Sequence, residues 1–370
     1  MIDVLFDFQI FYLQEYGGIS RYVCELARHL STLPDTRAHI DAGMHHNAYA
    51  AELEPGLVTG HRVARSRSKV ALAKGWLRND AMFRRHVRRG EHSHVHLTYF
   101  YELARPRARA ARMLTVYDMT HELYPSQVPG ALRTTTLKRR AARNADHIVC
   151  ISESTRNDLI RLFGVAPERV STVHLGLNVP TPRAPGDAAT GIVGRPYLLY
   201  VGQRGGYKNF AGFLAAYASS ARLLNTFDVL CFGGGPFSDA ELGQARAFGI
   251  DVERLRQVGG GDDSLFAAYR GAAMLVYPSR YEGFGFPPLE AMAAGCPVVC
   301  SNTSSMPEVA GAAARMFDPD SIDAMAHGMT SLADDTSLRE HYREAGFARA
   351  RAFTWERCAA RTREVYAKTQ

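Results

Sequence analysis

Between Met274 and Cys300 the chain reads as an apolar strand, a glycine-bearing turn, a short helix and a second apolar strand. Met274-Leu-Val-Tyr277 is the incoming strand and Pro297-Val-Val-Cys300 the outgoing one. In the turn, Gly283 and Gly285 let backbone amides approach a ligand that a side chain would hold off. Pro287 and Pro288 fall where a helix begins without losing a hydrogen bond. The helix body is expected over Leu289–Ala294, with Gly295 as its stop. Such a unit belongs in a parallel sheet covered by helices.

The rest of the chain repeats the alternation. Ile2–Phe6 is a strand, Gly17-Gly18 opens a helix over Ser20–Leu33, and Leu114–Tyr117, His147–Cys150 and Val170–Val173 are further strands. Ser152 precedes a helix that contains Asp158, Leu159 and Leu162. The proline-, glycine- and alanine-rich stretch 177–196 reads as a linker, after which Tyr197–Val201 restarts the pattern. At 370 residues the chain exceeds one ordinary core. The expected organisation is α/β with two Rossmann-like domains, 1–180 and 181–353, and a terminal helix, 354–370.

The mouth of the Tyr277–Cys300 turn has a definite chemistry. A helix N-terminus offers unpaired amides and partial positive charge, suited to phosphate or sugar hydroxyls. Glu282 borders this mouth from the strand side, and Glu290, after seven intervening residues, is expected on the first helical turn. Two carboxylates beside an anion site need hydroxyl partners, which a ribose and a pyranose supply.

This stretch resembles the signature of the retaining glycosyltransferases of family GT4, with their GT-B fold of two Rossmann-like domains facing across a cleft. The likeness extends to Ser301–Val309, to Tyr200-Val-Gly-Gln-Arg-Gly-Gly-Tyr-Lys-Asn-Phe210 and to Gly17-Gly-Ile-Ser-Arg-Tyr22. It implies a hexosyltransferase whose leaving phosphate accepts the acceptor's proton. Glu282 would hold the donor sugar and offset positive charge developing on it. Glu290 would bind the ribose. Arg204 and Lys208, with Gly17, Gly18, Val258 and Gly259, would hold the nucleotide diphosphate. Gly283, Phe284, Gly285 and Phe286 would line the sugar.

In Leu114–Pro125 the family's His-Asp pair becomes Tyr117-Asp118, with His121 three residues on, so Asp118 and His121 are the candidates for contact with sugar or acceptor. Ser152 matches a family position on the acceptor side and is equally an N-cap. The resemblance is to bacterial enzymes that build surface polysaccharide such as O-antigen. It implies a GDP-sugar donor, mannose or a related hexose or deoxyhexose, and a glycan or lipid-diphosphate-linked acceptor. The alternatives are a GT-B epimerase or a non-catalytic nucleotide-binding or lipid-docking protein.

Charge and composition narrow the field. No Asp-x-Asp follows a strand, and Asp318-Pro-Asp320 reads as a turn, so no catalytic metal and no cofactor beyond the nucleotide-sugar substrate are expected. The net charge of +7 concentrates in Arg62, Arg65, Arg67, Lys69, Lys74, Arg78, Arg84, Arg85, Arg88 and Arg89, and again in Lys138–Arg143. That is either a solvated basic face or an attraction to anionic lipid. Nucleic acid is not expected, because basic and aromatic residues do not interleave. The six cysteines lack zinc-like spacing and read as reduced thiols. With no membrane-length apolar run, the expected location is cytoplasmic, at most peripheral on the inner membrane face.

Overall fold

The computed structural model describes residues 1–101, 109–178 and 194–369, so most of the expected linker lies outside the described residues. The chain divides into two units, 1–176 with 354–370, and 177–353.

In the first unit the strands are β1 (Ile2–Phe6), β2 (Thr36–His45), β3 (Val58–Arg62), β4 (His94–Leu97), β5 (Ala111–Val116), β6 (His147–Cys150) and β7 (Val170–Thr172). They form one sheet in the order β3-β2-β1-β4-β5-β6-β7, and every pairing is parallel. The strands β1, β4 and β6 are buried along their whole length, as strands covered on both faces must be. The first helix after the glycine pair spans Gly18–Leu30, two residues earlier than its sequence implies. It presents Tyr22, Val23, Leu26, Ala27 and Leu30 to the core at helical spacing.

The second unit contains β8 (Tyr197–Val201), β9 (Asp228–Phe232), β10 (Leu255–Val258), β11 (Met274–Tyr277), β12 (Val298–Ser301) and β13 (Arg315–Phe317). Their order is β10-β9-β8-β11-β12-β13, again all parallel. Sequence order reverses between β8 and β11, and in the first sheet between β1 and β4. In doubly wound sheets the crevice at the carboxyl ends of such a strand pair takes the ligand. The core of this unit gathers Leu198, Tyr200, Phe213, Tyr217, Val229, Val276, Val299 and Met329.

The terminal helix, Trp355–Ala367, starts at Thr354, whose hydroxyl accepts from the Arg357 amide at 3.2 Å. It is part of the first unit. Tyr366 is fully buried there, with its hydroxyl 2.6 Å from His96 Nδ1 and its carbonyl 3.0 Å from His94 Nε2. Burial drives the His96 pKa down to about 3, so the ring stays neutral. All six cysteines are buried and unbonded. Among the described residues no helix is long and apolar enough to cross a membrane.

Candidate functional site

The loops that follow β8 and β11 lie side by side because their strands pair, and Lys208 from one meets Glu282 from the other. Lys208 ends a short 3₁₀ turn, Gly206–Lys208, just before the helix Phe210–Ala218. Its ammonium donates to both oxygens of Glu282, at 2.7 and 2.9 Å. Tyr277, the last residue of β11, donates its hydroxyl to the same carboxylate at 2.7 Å. Burial and then the Glu282 charge push the Tyr277 phenol far above its ordinary value, so it remains a donor. The Glu282 amide donates to Ser304 Oγ at 3.0 Å, and Ser305 Oγ donates to the carbonyls of Glu282 and Phe284. The carboxylate is thus held by two side chains and its backbone by two serines, so it is preorganised, which is what a group meeting developing charge requires.

Gly285 is the N-cap of the helix Phe286–Ala293, at φ +115. The backbone angle favours glycine, and a Cβ there would sit 2.2 Å from the Met306 Cε and have to displace that methyl. The helix begins at Phe286, with the prolines in its first turn as expected and three residues before the expected body at Leu289. That corrects the placement of Glu290, which lies on the second turn and not the first. Its carboxylate accepts from the Tyr269 hydroxyl at 3.0 Å. Phe284 is buried against Phe286 and Phe353, so it packs and only its backbone borders the loop. Gly283 stands between Glu282 and Phe284 in the same loop.

Arg204 takes a different place from the free diphosphate cation expected of it. Its guanidinium is buried, pairs with Glu241 at 2.7 Å and donates to the carbonyls of Gly233, Gly235 and Pro236 at 3.3, 3.0 and 2.9 Å. It also lies 4.5 Å over the Phe237 ring. Arg204 thus holds the loop after β9, where Gly233, Gly234 and Gly235 all have positive φ. The Gly233 amide in turn donates to the Val258 carbonyl at 2.9 Å, which ties this loop to the end of β10 and the exposed Gly259.

In the first unit Gly17 is pressed against Gln14, and a Cβ would lie 2.2 Å from the Gln14 Oε1. Gly18 opens its helix with no side-chain cap bond from the preceding residue. Asp118 and His121 both follow β5. Asp118 accepts from the Thr120 amide at 2.9 Å, which makes it a local turn cap. Burial and the nearby Lys138 hold the His121 imidazole below its usual pKa, and its Nδ1 has no hydrogen-bond partner among the described residues. Lys138 corrects the reading of Lys138–Arg143 as one solvated basic face. It is fully buried and donates to Glu122 at 2.7 Å and to the Asp118 carbonyl at 3.0 Å. Ser152 takes the N-cap alternative. It is fully buried, accepts from the Thr155 amide and donates to the Thr155 hydroxyl, so both functions of its hydroxyl serve as helix cap.

One group escaped sequence reading altogether. Asp7, fully buried just after β1, accepts from the Thr98 amide and hydroxyl after β4 and from Gln9 at 2.6 Å. Burial raises its pKa to about 6, with the bonds from Thr98 and Gln9 offsetting part of the rise. Only the pairing of β1 with β4 brings these residues together. Tyr277, by contrast, opens the motif itself.

Two doubly wound sheets in tandem, the second with a Glu-x7-Glu loop at its strand-order reversal, define the class of GT-B glycosyltransferases. Family comparison agrees: the Glycosyltransferase Family 4 model matches residues 16–180 and the Glycosyl transferases group 1 model residues 187–349. The chain belongs to glycosyltransferase family 4. It is 36% identical over 234 residues to O-antigen chain mannosyltransferase B of Escherichia coli, covering 60% of this chain and 61% of that one. The chain thus spans about three fifths of that relative's length. Alpha-maltose-1-phosphate synthase of Mycolicibacterium smegmatis is 28% identical over 390 residues, covering 95% and 96% of the two chains. Sucrose-phosphate synthase of Thermosynechococcus elongatus shares the fold, with a TM-score of 0.76 at 20% identity over 100% and 98% of the chains. These relatives are transferases and synthases by name, so the epimerase alternative gains no support.

Proposed function

We propose that the chain is a retaining hexosyltransferase that moves mannose or a related sugar from a GDP-sugar to a glycan or lipid-diphosphate-linked acceptor in surface-polysaccharide synthesis. The carrying observation is the Lys208–Glu282 pair at the carboxyl ends of β8 and β11. A cation there suits a leaving diphosphate, and the adjoining carboxylate suits positive charge on the sugar ring. The bond from C1 to the phosphate oxygen breaks, the acceptor oxygen bonds C1 on the same face, and its proton passes to the departing phosphate. Glu290, braced by Tyr269, accepts from the ribose hydroxyls. Arg204 contributes by fixing the glycine loop, and the role of Asp118 and His121 is contact with sugar or acceptor. The name of the Escherichia coli relative supports the mannosyl choice.

The first unit supports a second part of this reading, peripheral docking on anionic lipid. On the helix Lys69–Arg88 the exposed Val70 and Leu77 stand among exposed Lys74, Arg78, Arg85 and Arg88. Apolar side chains within a basic face suit a charged lipid surface. Sedimentation with anionic vesicles is expected for the wild type and not for Arg78→Glu with Arg85→Glu; equal sedimentation of both would end this part.

The test of the main proposal is transfer from GDP-mannose, UDP-glucose and UDP-N-acetylglucosamine to mannose-terminated and lipid-diphosphate acceptors, with and without chelator. Mannosyl transfer giving the α-anomer, unchanged by chelator, is the expected result. Transfer of another sugar, or an inverted anomer, overturns the corresponding part. Nucleotide binding without any transfer favours the non-catalytic reading.

A further inference from the structure

Beside β1 and β2, where the helix Lys69–Arg88 ends and β4 begins, lies a cluster that the donor site leaves unused. His86 lies in the last turn of the helix Lys69–Arg88, and Glu91 and His92 lie between that helix and β4. His86 Nδ1 is 3.2 Å from Asp41 Oδ2 on β2, and His92 Nδ1 is 2.6 Å from Asp3 Oδ1 on β1. A carboxylate facing one ring nitrogen is met by its N–H, which fixes the tautomer and leaves a neutral imidazole's lone pair on the other nitrogen. The two remaining nitrogens, His86 Nε2 and His92 Nε2, are 3.3 Å apart. Two lone pairs at that distance repel, so a positive centre belongs between them.

The distance suits a metal ion. Two imidazole nitrogens each about 2.0–2.1 Å from one tetrahedral zinc ion stand about 3.3–3.4 Å from each other. A hydrogen bond between the two nitrogens, which 3.3 Å equally allows, is the alternative that metal titration separates. Glu91 completes the set, since one ligand atom from each of His86, Glu91 and His92 lies within 4.8 Å of the others. His39, whose ring is 6.0 Å from that of His86, is not a further ligand. Its nitrogens face the Gly56 carbonyl and the Thr59 hydroxyl at 3.1 and 2.6 Å. Arg37, 3.6 Å from the other oxygen of Asp3, balances the charge behind the cluster.

We propose that His86, Glu91 and His92 bind one divalent transition-metal ion of the zinc class, with Asp41 and Asp3 orienting the two imidazoles. Water would complete the tetrahedron. The three ligands lie from the last turn of the helix Lys69–Arg88 to the start of β4, while Asp3 stands on β1 and Asp41 midway along β2, so the ion pins the helix end to these two strands and takes no part in transfer. The proposal is independent of the donor and acceptor chosen above.

The test uses the full chain, stripped with chelator and titrated with zinc by calorimetry and with cobalt(II) by visible absorption. One ion per chain, a tetrahedral cobalt spectrum and a zinc-dependent rise in Tm are expected. Glu91→Gln, at an exposed position that leaves the fold intact, should weaken zinc binding at least tenfold, and His92→Gln more. Asp3→Asn should weaken it about 10–100-fold, as loss of an orienting partner does. Absence of stoichiometric binding, or equal binding by wild type, Glu91→Gln and His92→Gln, would overturn the proposal and leave a shared proton between the rings. Nucleotide stabilisation of the stripped protein, measured alongside, should be unchanged.

Discussion

Lys208 spans from the loop after β8 to Glu282 in the loop after β11, donating to both carboxylate oxygens at 2.7 and 2.9 Å. These are the two strands between which the order of the second sheet reverses. On the proposed function an arriving diphosphate would compete with Glu282 for the lysine, so the pair would couple donor binding to release of the carboxylate toward the sugar. Glu282→Gln keeps the shape and removes the charge. Turnover is expected to fall by about 10²–10³, the usual loss for one preorganised electrostatic group. Stabilisation by nucleoside diphosphate should persist. Steady-state kinetics and melting curves on one preparation check this, and full activity in Glu282→Gln would refute the assigned role.

Tyr269 holds Glu290 from the neighbouring helix at 3.0 Å. Burial and then the Glu290 charge push its phenol far above the ordinary value, so it remains a donor. If Glu290 reads the ribose, Glu290→Gln should raise the Kd of nucleoside diphosphate about tenfold, or about 1.4 kcal/mol. The Kd of inorganic pyrophosphate should not change. Equal weakening of both ligands, seen by calorimetry, would place Glu290 with the phosphates instead.

Gly285 and Gly233 separate strain from collision. Both have positive φ, but a Cβ on Gly285 meets Met306 at 2.2 Å while one on Gly233 meets nothing within 4 Å. Backbone strain alone costs about 1–3 kcal/mol. Gly285→Ala should therefore lower Tm more than Gly233→Ala, as read by differential scanning calorimetry. The reverse order would contradict the loop geometry.

Asp7 gives the first unit a pH signature. Its folded pKa of about 6 stands above the ordinary 3.8, so between these values the folded protein keeps a proton that the unfolded chain has released. Its contribution is complete below the lower value and is lost as pH rises through the upper one. Two units correspond to about 3 kcal/mol. Denaturant unfolding of wild type and Asp7→Asn from pH 4 to 7 should show wild type losing stability relative to the variant up to about pH 6, then no further change. Parallel curves throughout would remove Asp7 as the cause.

What could be read before folding follows from the range of the interactions. The β11–β12 unit, the glycine turn and the terminal helix are local patterns, and their positions needed only spacing and caps. Glu290 was misplaced by one turn because the prolines extend the helix as its first residues, with Gly285 as cap. The strand β4 carries His94 and His96, whose partner Tyr366 comes from the far end of the chain, so nothing local marks it as a buried strand. Arg204 looked like a diphosphate cation on a glycine loop. Its partner Glu241 belongs to another helix, so its charge balance was invisible locally. Lys138, buried on Glu122, and His86 with His92 were hidden for the same reason: their partners come from other elements.

The most direct test of the central claim is thermal stabilisation of the full chain by GDP, UDP, ADP, dTDP and CMP without added metal, comparing wild type with Lys208→Ala. A nucleotide at a hundred times its Kd adds about 2.7 kcal/mol, enough to move Tm by degrees. The account predicts a shift with GDP that Lys208→Ala abolishes. No shift with any nucleotide, or one that Lys208→Ala leaves intact, would contradict a donor cradle built on Lys208 and Glu282.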